Sequence, residues 1–514
     1  MKKYSLLLLL ASTIFLLNCN NFVNKEKKSK PNFIIIVADD AGYSDIGFFG
    51  SEIATPTLDI MAKNGIVFPN FYNFSRCSPS RASLMTGLYP QRVGMGELSG
   101  KSLEYGLPGY LGYLGFEHST IAEILEKNGY HNMMCGKWHL GNELDENKTP
   151  LGRGFHDFFG LNSGEASHFK CNTEKPKYYL QDKIFEDCND NFYSSDMFAD
   201  MAIQFLEKNN GEKPFLLYLP YTAPHHPIEA PIDIADKYRK VYSTKRNIEK
   251  ATRNRVKKLS KNIDVSFEDY VYPQITEKAK KKYLKKRRDV RDLLATRAAM
   301  IEVMDTGIGR IMNYLEDKSI DDNTIIFYFS DNGGGSATEP AEKLVNAPYK
   351  GMKASLQEGG IKTPLIIYGK DIPTGKVNNN IVSVMDIFPS ILSIAGISFE
   401  QHQNIEDKYK GIDISQTISN NKKAISRKYL FWDLYGQQAV IKNGRWKWIN
   451  DKSGEDRLFD IKNDPLENNN VALTNKPIVQ QMKKSHLEFR KANNVEPYPN
   501  TKRMKKRINR SKKN

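Results

Sequence analysis

Eleven residues, Cys77-Ser78-Pro79-Ser80-Arg81-Ala82-Ser83-Leu84-Met85-Thr86-Gly87, place a thiol just ahead of a proline that can start a helix, with a glycine positioned to end it. A helix N-terminus offers free N–H groups and the positive end of the helix dipole, which suits an anion, and Arg81 would sit one turn in to hold oxyanions. The residues alone fit a thiol beside an anion site, and they also fit an ordinary structural cysteine. A second set is built from oxygen. Asp39-Asp40 and Asp331-Asn332 supply three carboxylates and an amide, which suits a hard cation such as calcium or magnesium and gives a transition metal no soft ligand. Asp-Asp and Asp-Asn-Gly are equally the residues of tight turns, and spacing leaves both readings open. Lys137 with His139, and the pair His225-His226, complete the polar groups.

Each of these polar clusters follows an apolar run. Phe33 to Val37 precedes Asp39-Asp40, Tyr130 to Met134 precedes Lys137 and His139, Phe215 to Leu219 precedes His225-His226, and Thr324 to Phe329 precedes Asp331-Asn332. Runs of this length and composition read as buried strands. Helical patterns lie between them: Thr120 to Glu123 has capping-box spacing with a stop at Gly129, Ser195 precedes an amphipathic run to Leu206, and Ala295 to Leu315 repeats apolar residues at helical spacing. The alternation predicts an α/β fold with a large, mostly parallel sheet between helices. Ligands bind beyond the carboxyl ends of such strands, so four polar clusters in that position point to one site. After Gly396 the pattern changes. Tyr429 to Trp432, Gln438 to Lys442, Trp446 to Ile449 and Arg457 to Phe459 read as a small antiparallel sheet, followed by an amphipathic helix at about Pro477 to Lys491.

Cys77-x-Pro79-x-Arg81 with Leu84-Met85-Thr86-Gly87 resembles the signature of the type I, formylglycine-dependent sulfatases of the alkaline phosphatase-like superfamily. Val37 to Tyr43 and Ser330 to Gly334 are similar to the two metal segments of that family, and Gly136 to Gly141 to the segment whose lysine and histidine face the sulfate. Thr222 to Pro227 resembles the segment that supplies a sulfate-contacting histidine, with the alignment on His225 and His226 at a variable position. Lys353, five residues before Glu358-Gly359-Gly360, falls on a second sulfate lysine. A further polar residue of the family has Ser163 as its nearest counterpart, with a slipped alignment. The resemblance implies that a maturation enzyme oxidises Cys77 to formylglycine, whose hydrated aldehyde provides the attacking hydroxyl. It implies one calcium ion, or magnesium, held by Asp39, Asp40, residue 77, Asp331 and Asn332. The metal and Arg81 would align the attacking hydroxyl, the metal, Lys137, Lys353 and His225 would hold the sulfate, His225 or Lys353 would protonate the leaving oxygen, and His139 would take a proton as sulfate is released. The expected activity is hydrolysis of sulfate esters, with a sulfated small molecule or oligosaccharide as substrate. Two rivals stand beside it: a phosphonate or phosphodiester hydrolase of the same superfamily, and an inactive surface lipoprotein that binds anionic glycans.

The chain of 514 residues is long enough for one large domain and a smaller one. Met1-Lys2-Lys3 and the apolar run Leu6 to Leu17 read as an export signal too short to span a bilayer, and Leu16-Leu17-Asn18-Cys19 resembles a lipobox. The expected divisions are a lipoprotein-type signal at 1–19, a tether at 20–30, a catalytic domain at 31–424, an α+β subdomain at 425–496 and a basic tail at 497–514. The expected location is the periplasm or the outer membrane, with a lipid at Cys19 as the sole membrane contact. Cys171 and Cys188 lie in one polar stretch and suit a disulfide outside the cytoplasm, while Cys135 reads as a small buried hydrophobe. The formal charge of +15 is local: Asp236 to Asp289 holds nineteen Lys or Arg against seven acids, and Lys502 to Lys513 holds eight against none. Such runs read as solvated faces, and no nucleic-acid-binding motif accompanies them.

Overall fold

The computed structural model describes residues 30–100, 106–141, 145–171, 176–263, 290–335, 344–398, 410–420, 424–451 and 453–498. Residues 1–29, on which the expected export signal, Cys19 and the expected tether fall, lie outside them, as do residues 264–289 of the lysine- and arginine-rich stretch and the chain from residue 499.

The large sheet contains β1 (Asn32–Ala38), β2 (Ile66–Tyr72), β3 (His131–Lys137), β4 (Asp157–Leu161), β5 (Tyr179–Leu180), β6 (Lys183–Ile184), β7 (Phe215–Pro220), β8 (Thr324–Ser330), β9 (Lys362–Gly369), β10 (Lys376–Val377) and β11 (Val382–Ser383). Their order is β10-β2-β9-β8-β1-β7-β3-β4-β5-β6, with β11 also beside β2. The central run β8-β1-β7-β3-β4 is parallel, and β9 enters antiparallel between β8 and β2. β1 reads Asn-Phe-Ile-Ile-Ile-Val-Ala and is buried along both faces, as a central parallel strand covered on both sides requires. Ile34 and Ile36 pack with Ala199, Ala298 and Met304 of the Ser194–Asn209 and Val290–Asp317 helices. Ile35 and Val37 face the other layer, with Leu84, Ile121 and Ile391.

The predicted fold class therefore holds, and each predicted strand and helix is present within a few residues. The sequence reading had no signal for β2 or β9. β2 contains Pro69 at a bulge between Phe68 and Phe71, and β9 carries Pro364 near its start; proline normally argues against a sheet interior.

One charge run is not a solvated face. In the Lys245–Ile263 helix, Ile248, Thr252, Arg255 and Leu259 fall on one stripe at helical spacing, and that stripe is buried. Arg255 pairs there with Glu52 at 2.8 Å and Asp45 at 3.0 Å.

β12 (Tyr429–Leu434), β13 (Gln437–Lys442), β14 (Trp446–Asn450) and β15 (Asp456–Asp460) form the second, antiparallel sheet. Val440, Trp448 and Leu458 pack against Val479 and Met482 of the Lys476–Ala492 helix. Lys447 on β14 ties this sheet to the rest of the molecule: its buried ammonium lies 2.7 Å from Glu358, just before β9, and 2.8 Å from Glu467, just after β15.

Cys171 and Cys188 form a disulfide, with Cα atoms 5.8 Å apart across 17 residues, and Cys135 is a buried free thiol. Replacing both bridged cysteines with serine is expected to cost about 3 kcal/mol, from the loop entropy restored to the unfolded chain. Thermal melting would register this, and an unchanged midpoint would mean that the bridge adds nothing to stability.

Candidate active site

β8, β1, β7 and β3 are neighbours in the sheet, so the polar segments that follow them emerge side by side. Val37 is paired with Phe329 and Pro220, and Ala38 with Ser330, which brings three strand ends level. Just beyond, the Asp39 N–H donates to the Ala223 carbonyl at 3.0 Å, and the Asp331 N–H to the Ala38 carbonyl at 3.1 Å. Cys77 opens the Cys77–Thr86 helix that follows β2, and Gly87 ends it in the left-handed region at φ 69°. The Ser78 hydroxyl donates to the His139 carbonyl at 2.8 Å and ties the first turn of this helix to the end of β3. The loop carrying Lys353 is held by the Ala354 N–H, which donates to the Ser75 carbonyl at 2.9 Å.

The Cys77 thiol faces the Asp39 carboxylate, with Sγ 3.4 Å from Oδ1. The other Asp39 oxygen accepts from the Lys137 ammonium at 2.5 Å. Arg81 grips Asp331 with Nε at 3.0 Å and Nη2 at 2.8 Å, and donates through Nη1 to the Lys137 carbonyl at 2.7 Å. Asp40 receives the Lys353 ammonium at 2.7 Å and the Asn332 amide at 2.7 Å on one oxygen, while His225 Nε2 lies 3.8 Å from the other. Asp39, Asp40, Cys77 and His225 each offer a ligand atom within 4.8 Å of the rest. Asn332 Oδ1 is buried and has no hydrogen-bond partner. A buried acceptor without a donor is what a cation ligand looks like before its ion is counted, so the residues fit a hard divalent cation.

Four residues of the site or its supporting loops, Asp40, Ser75, His139 and Ala354, adopt positive φ, at 68°, 59°, 56° and 67°, a region that residues with a Cβ seldom enter. The glycines after Asn332 also have a local cause: a Cβ on Gly333 would come 1.8 Å from the Gly359 carbonyl oxygen, so the two motif segments cross only because Gly333 has no side chain.

Burial pushes the Cys77 thiol up to about 12, and the Asp39 carboxylate adds to the effect, so the group is protonated at neutral pH. Burial also works against charge on Asp39 and Asp40. Lys137 holds Asp39 well below the usual carboxylate range, and Lys353 lowers Asp40. Asp331 rises to about 6 through burial and the charge of Asp39. Burial opposes the ammonium of Lys353 but Asp40 outweighs it, so the group is held above the ordinary lysine value. Burial, reinforced by Lys137 and Arg81, keeps the His139 imidazole neutral well below its usual pKa, and burial lowers His225 as well. Asp39, Asp40 and Asp331 are thus balanced by Lys137, Lys353 and Arg81, and a divalent ion would leave these six groups with an excess of two positive charges, suited to an anionic ligand.

All ten residues singled out from the sequence meet in this cluster: Asp39, Asp40, Cys77, Arg81, Lys137, His139, His225, Asp331, Asn332 and Lys353. Ser163 lies on the loop beside His139, whose N–H donates to the Asn162 carbonyl at 3.2 Å, but its own hydroxyl donates to the Glu165 carbonyl at 3.3 Å, and His226 is largely exposed with Glu165 at 4.0 Å. The sequence reading missed Asp45 and Arg297. Arg297 donates to the Asp40 carbonyl at 2.7 Å and to Asp45 at 2.6 Å, while Asp45 accepts the Gly42 N–H at 2.6 Å. Together they fix the turn that presents Asp40. The available signal was an arginine on the apolar stripe Leu294, Ile301, Met304 and Ile308 of its helix.

The family model described as Sulfatase matches residues 31–397, and that of the N-sulphoglucosamine sulphohydrolase C-terminal region matches residues 352–492. An uncharacterized sulfatase of Schizosaccharomyces pombe is 32% identical over 89% of this chain and 93% of its own length. An arylsulfatase of Klebsiella aerogenes is 30% identical over 72% of this chain and 88% of its own. The crystal structure of Ps i-CgsB in complex with k-i-k-neocarrahexaose superposes with a TM-score of 0.71 at 26% identity, covering 93% of this chain and 97% of the other.

Proposed function

Because the chain belongs to the sulfatase family and is a sulfuric ester hydrolase, we propose that it cleaves carbohydrate sulfate esters, using formylglycine made from Cys77 and one divalent cation, calcium or magnesium. The observation that carries this reading is the buried Cys77 thiol 3.4 Å from Asp39 at the centre of the polar cluster. A thiol in that state is a poor nucleophile, so cysteine chemistry does not suit the surroundings that the fold gives it. Hydrated formylglycine would supply two hydroxyls in its place, one to attack sulfur and one whose deprotonation lets sulfate depart. The cation, held by Asp39, Asp40, residue 77, Asp331 and Asn332, would supply charge neutralisation at the sulfate oxygens.

The remaining work falls to side chains already in position. Lys137 and Lys353 exchange a carboxylate partner for sulfate oxygens when substrate enters, and Arg81 steadies Asp331 behind residue 77. Nδ1 of His225 lies 2.6 Å from the His226 carbonyl, which fixes that nitrogen as the donor and leaves Nε2 facing the site without a proton in the neutral ring. Lys353 is then the group that arrives with a proton for the leaving oxygen. His139, neutral and with Nδ1 buried and unpartnered, is the base that takes the proton when sulfate is released.

Since His139 must be neutral and its pKa is depressed by burial, activity should persist as pH falls through the ordinary histidine value and be lost only below it. The lysine acid, raised by Asp40, should hold its proton through pH 9. A kcat profile flat from about pH 6.5 to 9 is expected. An acid limb at or above the ordinary histidine value would remove His139 from the role.

A chelator should stop turnover and lower the melting temperature, and added calcium should restore both. Full activity in chelator would exclude the cation. The substrate reading is tested by sulfate release from sulfated mono- and oligosaccharides beside an aryl sulfate and a phosphonate of matched leaving group. Turnover confined to the aryl sulfate would remove the carbohydrate, and faster phosphonate cleavage would favour the phosphonate hydrolase reading.

The N-terminal sequence and the Cys171–Cys188 disulfide support export to an oxidising compartment, with a lipid at Cys19 as the anchor. Cys19→Ala should move the protein from the membrane fraction to the soluble one, and an unchanged distribution would exclude the anchor.

A further inference from the structure

Three of the four cations around Cys77 have carboxylate partners: Arg81 with Asp331, Lys137 with Asp39 and Lys353 with Asp40. The fourth is Arg76, the residue immediately before Cys77. Among the described residues its guanidinium meets no carboxylate, and its Nε is buried without a hydrogen-bond partner. What it does have is a platform. The guanidinium carbon lies 5.5 Å from the centre of the Tyr435 ring.

That platform is built with some care. Tyr435 and Gly436 form the turn between β12 and β13, both with positive φ, at 54° and 78°. The Tyr435 hydroxyl donates to Glu97 Oε1 at 2.6 Å, and the Tyr498 hydroxyl to Glu97 Oε2 at 2.9 Å. Glu97 thus spends both oxygens on tyrosines and forms no ion pair with the nearby arginine. The same turn reaches the sulfate lysine's loop, where Gln437 Nε2 donates to the Ala354 carbonyl at 3.1 Å. Ala354 is bonded in turn to Ser75, and the Ser75 hydroxyl to the Ser355 carbonyl at 2.7 Å. Three segments, 75–76, 353–355 and 435–437, therefore meet as one wall beside Cys77.

We propose that Arg76, held over the Tyr435 ring, is a second anion-recognition point, selecting substrates that carry another oxyanion, a sulfate or a carboxylate, beside the scissile ester. An arginine held over an aromatic ring keeps its fork of donors free for a planar or tetrahedral oxyanion, and little rotamer freedom is lost when it binds. Leaving its buried Nε unsatisfied carries a cost that a substrate anion would remove. Lys353, on the same wall, would hold the scissile sulfate while Arg76 takes the neighbouring group. The inference rests on the sulfatase reading and adds the substrate class to it: esters with at least two negative groups close together.

The test compares the matured, metal-loaded wild type with Arg76→Ala and the near-isosteric Arg76→Gln. Two matched pairs serve as probes: 4-nitrophenyl sulfate with its 2-carboxy analogue, and glucosamine 6-O-sulfate with glucosamine 2-N,6-O-disulfate. Each variant is expected to lose at least about tenfold more kcat/KM on the doubly anionic member of a pair than on the singly anionic one. The two pairs separate a carboxylate from a second sulfate as the preferred anion. Equal losses on both members would make Arg76 a support for the Cys77 helix, and no loss on either would make it inert; each result overturns the proposal while leaving the sulfatase reading intact. Wild-type protein that releases sulfate from none of the four probes would overturn both.

Discussion

Cys77→Ala should abolish sulfate release, by a factor on the order of 10⁴ or more, and leave the fold standing. The activity loss follows from position. The side chain at residue 77 is the one the surrounding charges converge on, with Asp39 at 3.4 Å and the Lys137, Lys353 and Arg81 cations beyond it, and alanine has nothing with which to attack sulfur. The fold should tolerate the change because the lost atom is one sulfur in a polar pocket, its removal eases contact with Asp39, and the helix keeps its Gly87 cap and its Ser78 tie to His139. Initial rates on the best sulfated substrate, with a melting curve alongside, check both halves. Near-normal turnover by the folded variant would sink the mechanism. Mass spectrometry gives an independent reading, since trypsin cleaving after Arg76 and Arg81 releases Cys-Ser-Pro-Ser-Arg as one short peptide whose mass reports thiol or aldehyde. An unmodified thiol in active protein from its native host would also overturn the mechanism.

Lys447→Met should destabilise the protein by about 3–5 kcal/mol, the effect of breaking a buried ion pair from one side. Lys447 is fully buried, and its ammonium is shared between Glu358 and Glu467 at 2.7 and 2.8 Å. These acids are themselves interlocked: Glu467 Oε2 accepts the Glu358 N–H at 2.9 Å, and Glu358 Oε2 accepts the Tyr72 hydroxyl at 2.8 Å. Without the ammonium, two carboxylates would face each other away from water. Lys362 would remain, 3.5 Å from Glu358, as partial compensation. Denaturant unfolding measures the loss, and the triple change Lys447→Met with Glu358→Gln and Glu467→Gln should recover much of it. A Lys447→Met protein as stable as wild type would mean that the acids take up protons at little cost.

What the sequence disclosed divides by the range of the interaction. β1 was legible because a buried parallel strand is a continuous apolar run, here Phe33 to Ala38, and the Cys77 helix because proline and glycine punctuate it locally. The polar clusters were legible as one site because each follows its strand directly. Lys353 had no such strand before it, and only the family resemblance singled it out. Arg297 and Asp45, 252 residues apart, could not be paired from a linear reading, although they set the turn at Asp40. Arg255 misled for a related reason: inside a run of lysines and arginines, one buried guanidinium looks like its solvated neighbours until Glu52 and Asp45 are known to face it.

The order of the central strands has a temporal consequence. Asp39, Lys137, His225 and Asp331 are neighbours in space but are drawn from four widely separated stretches of chain, and β8 with Asp331, followed by Lys353, comes last. Until that stretch has emerged, β1 lacks one of its two flanking strands and Arg81 lacks its partner. In the finished molecule Cys77 is only 1% exposed. On the proposed chemistry, a maturation enzyme must reach the thiol while the chain is still incomplete or unfolded, so the rate at which the second half of the protein is delivered sets how long the nucleophile can be made.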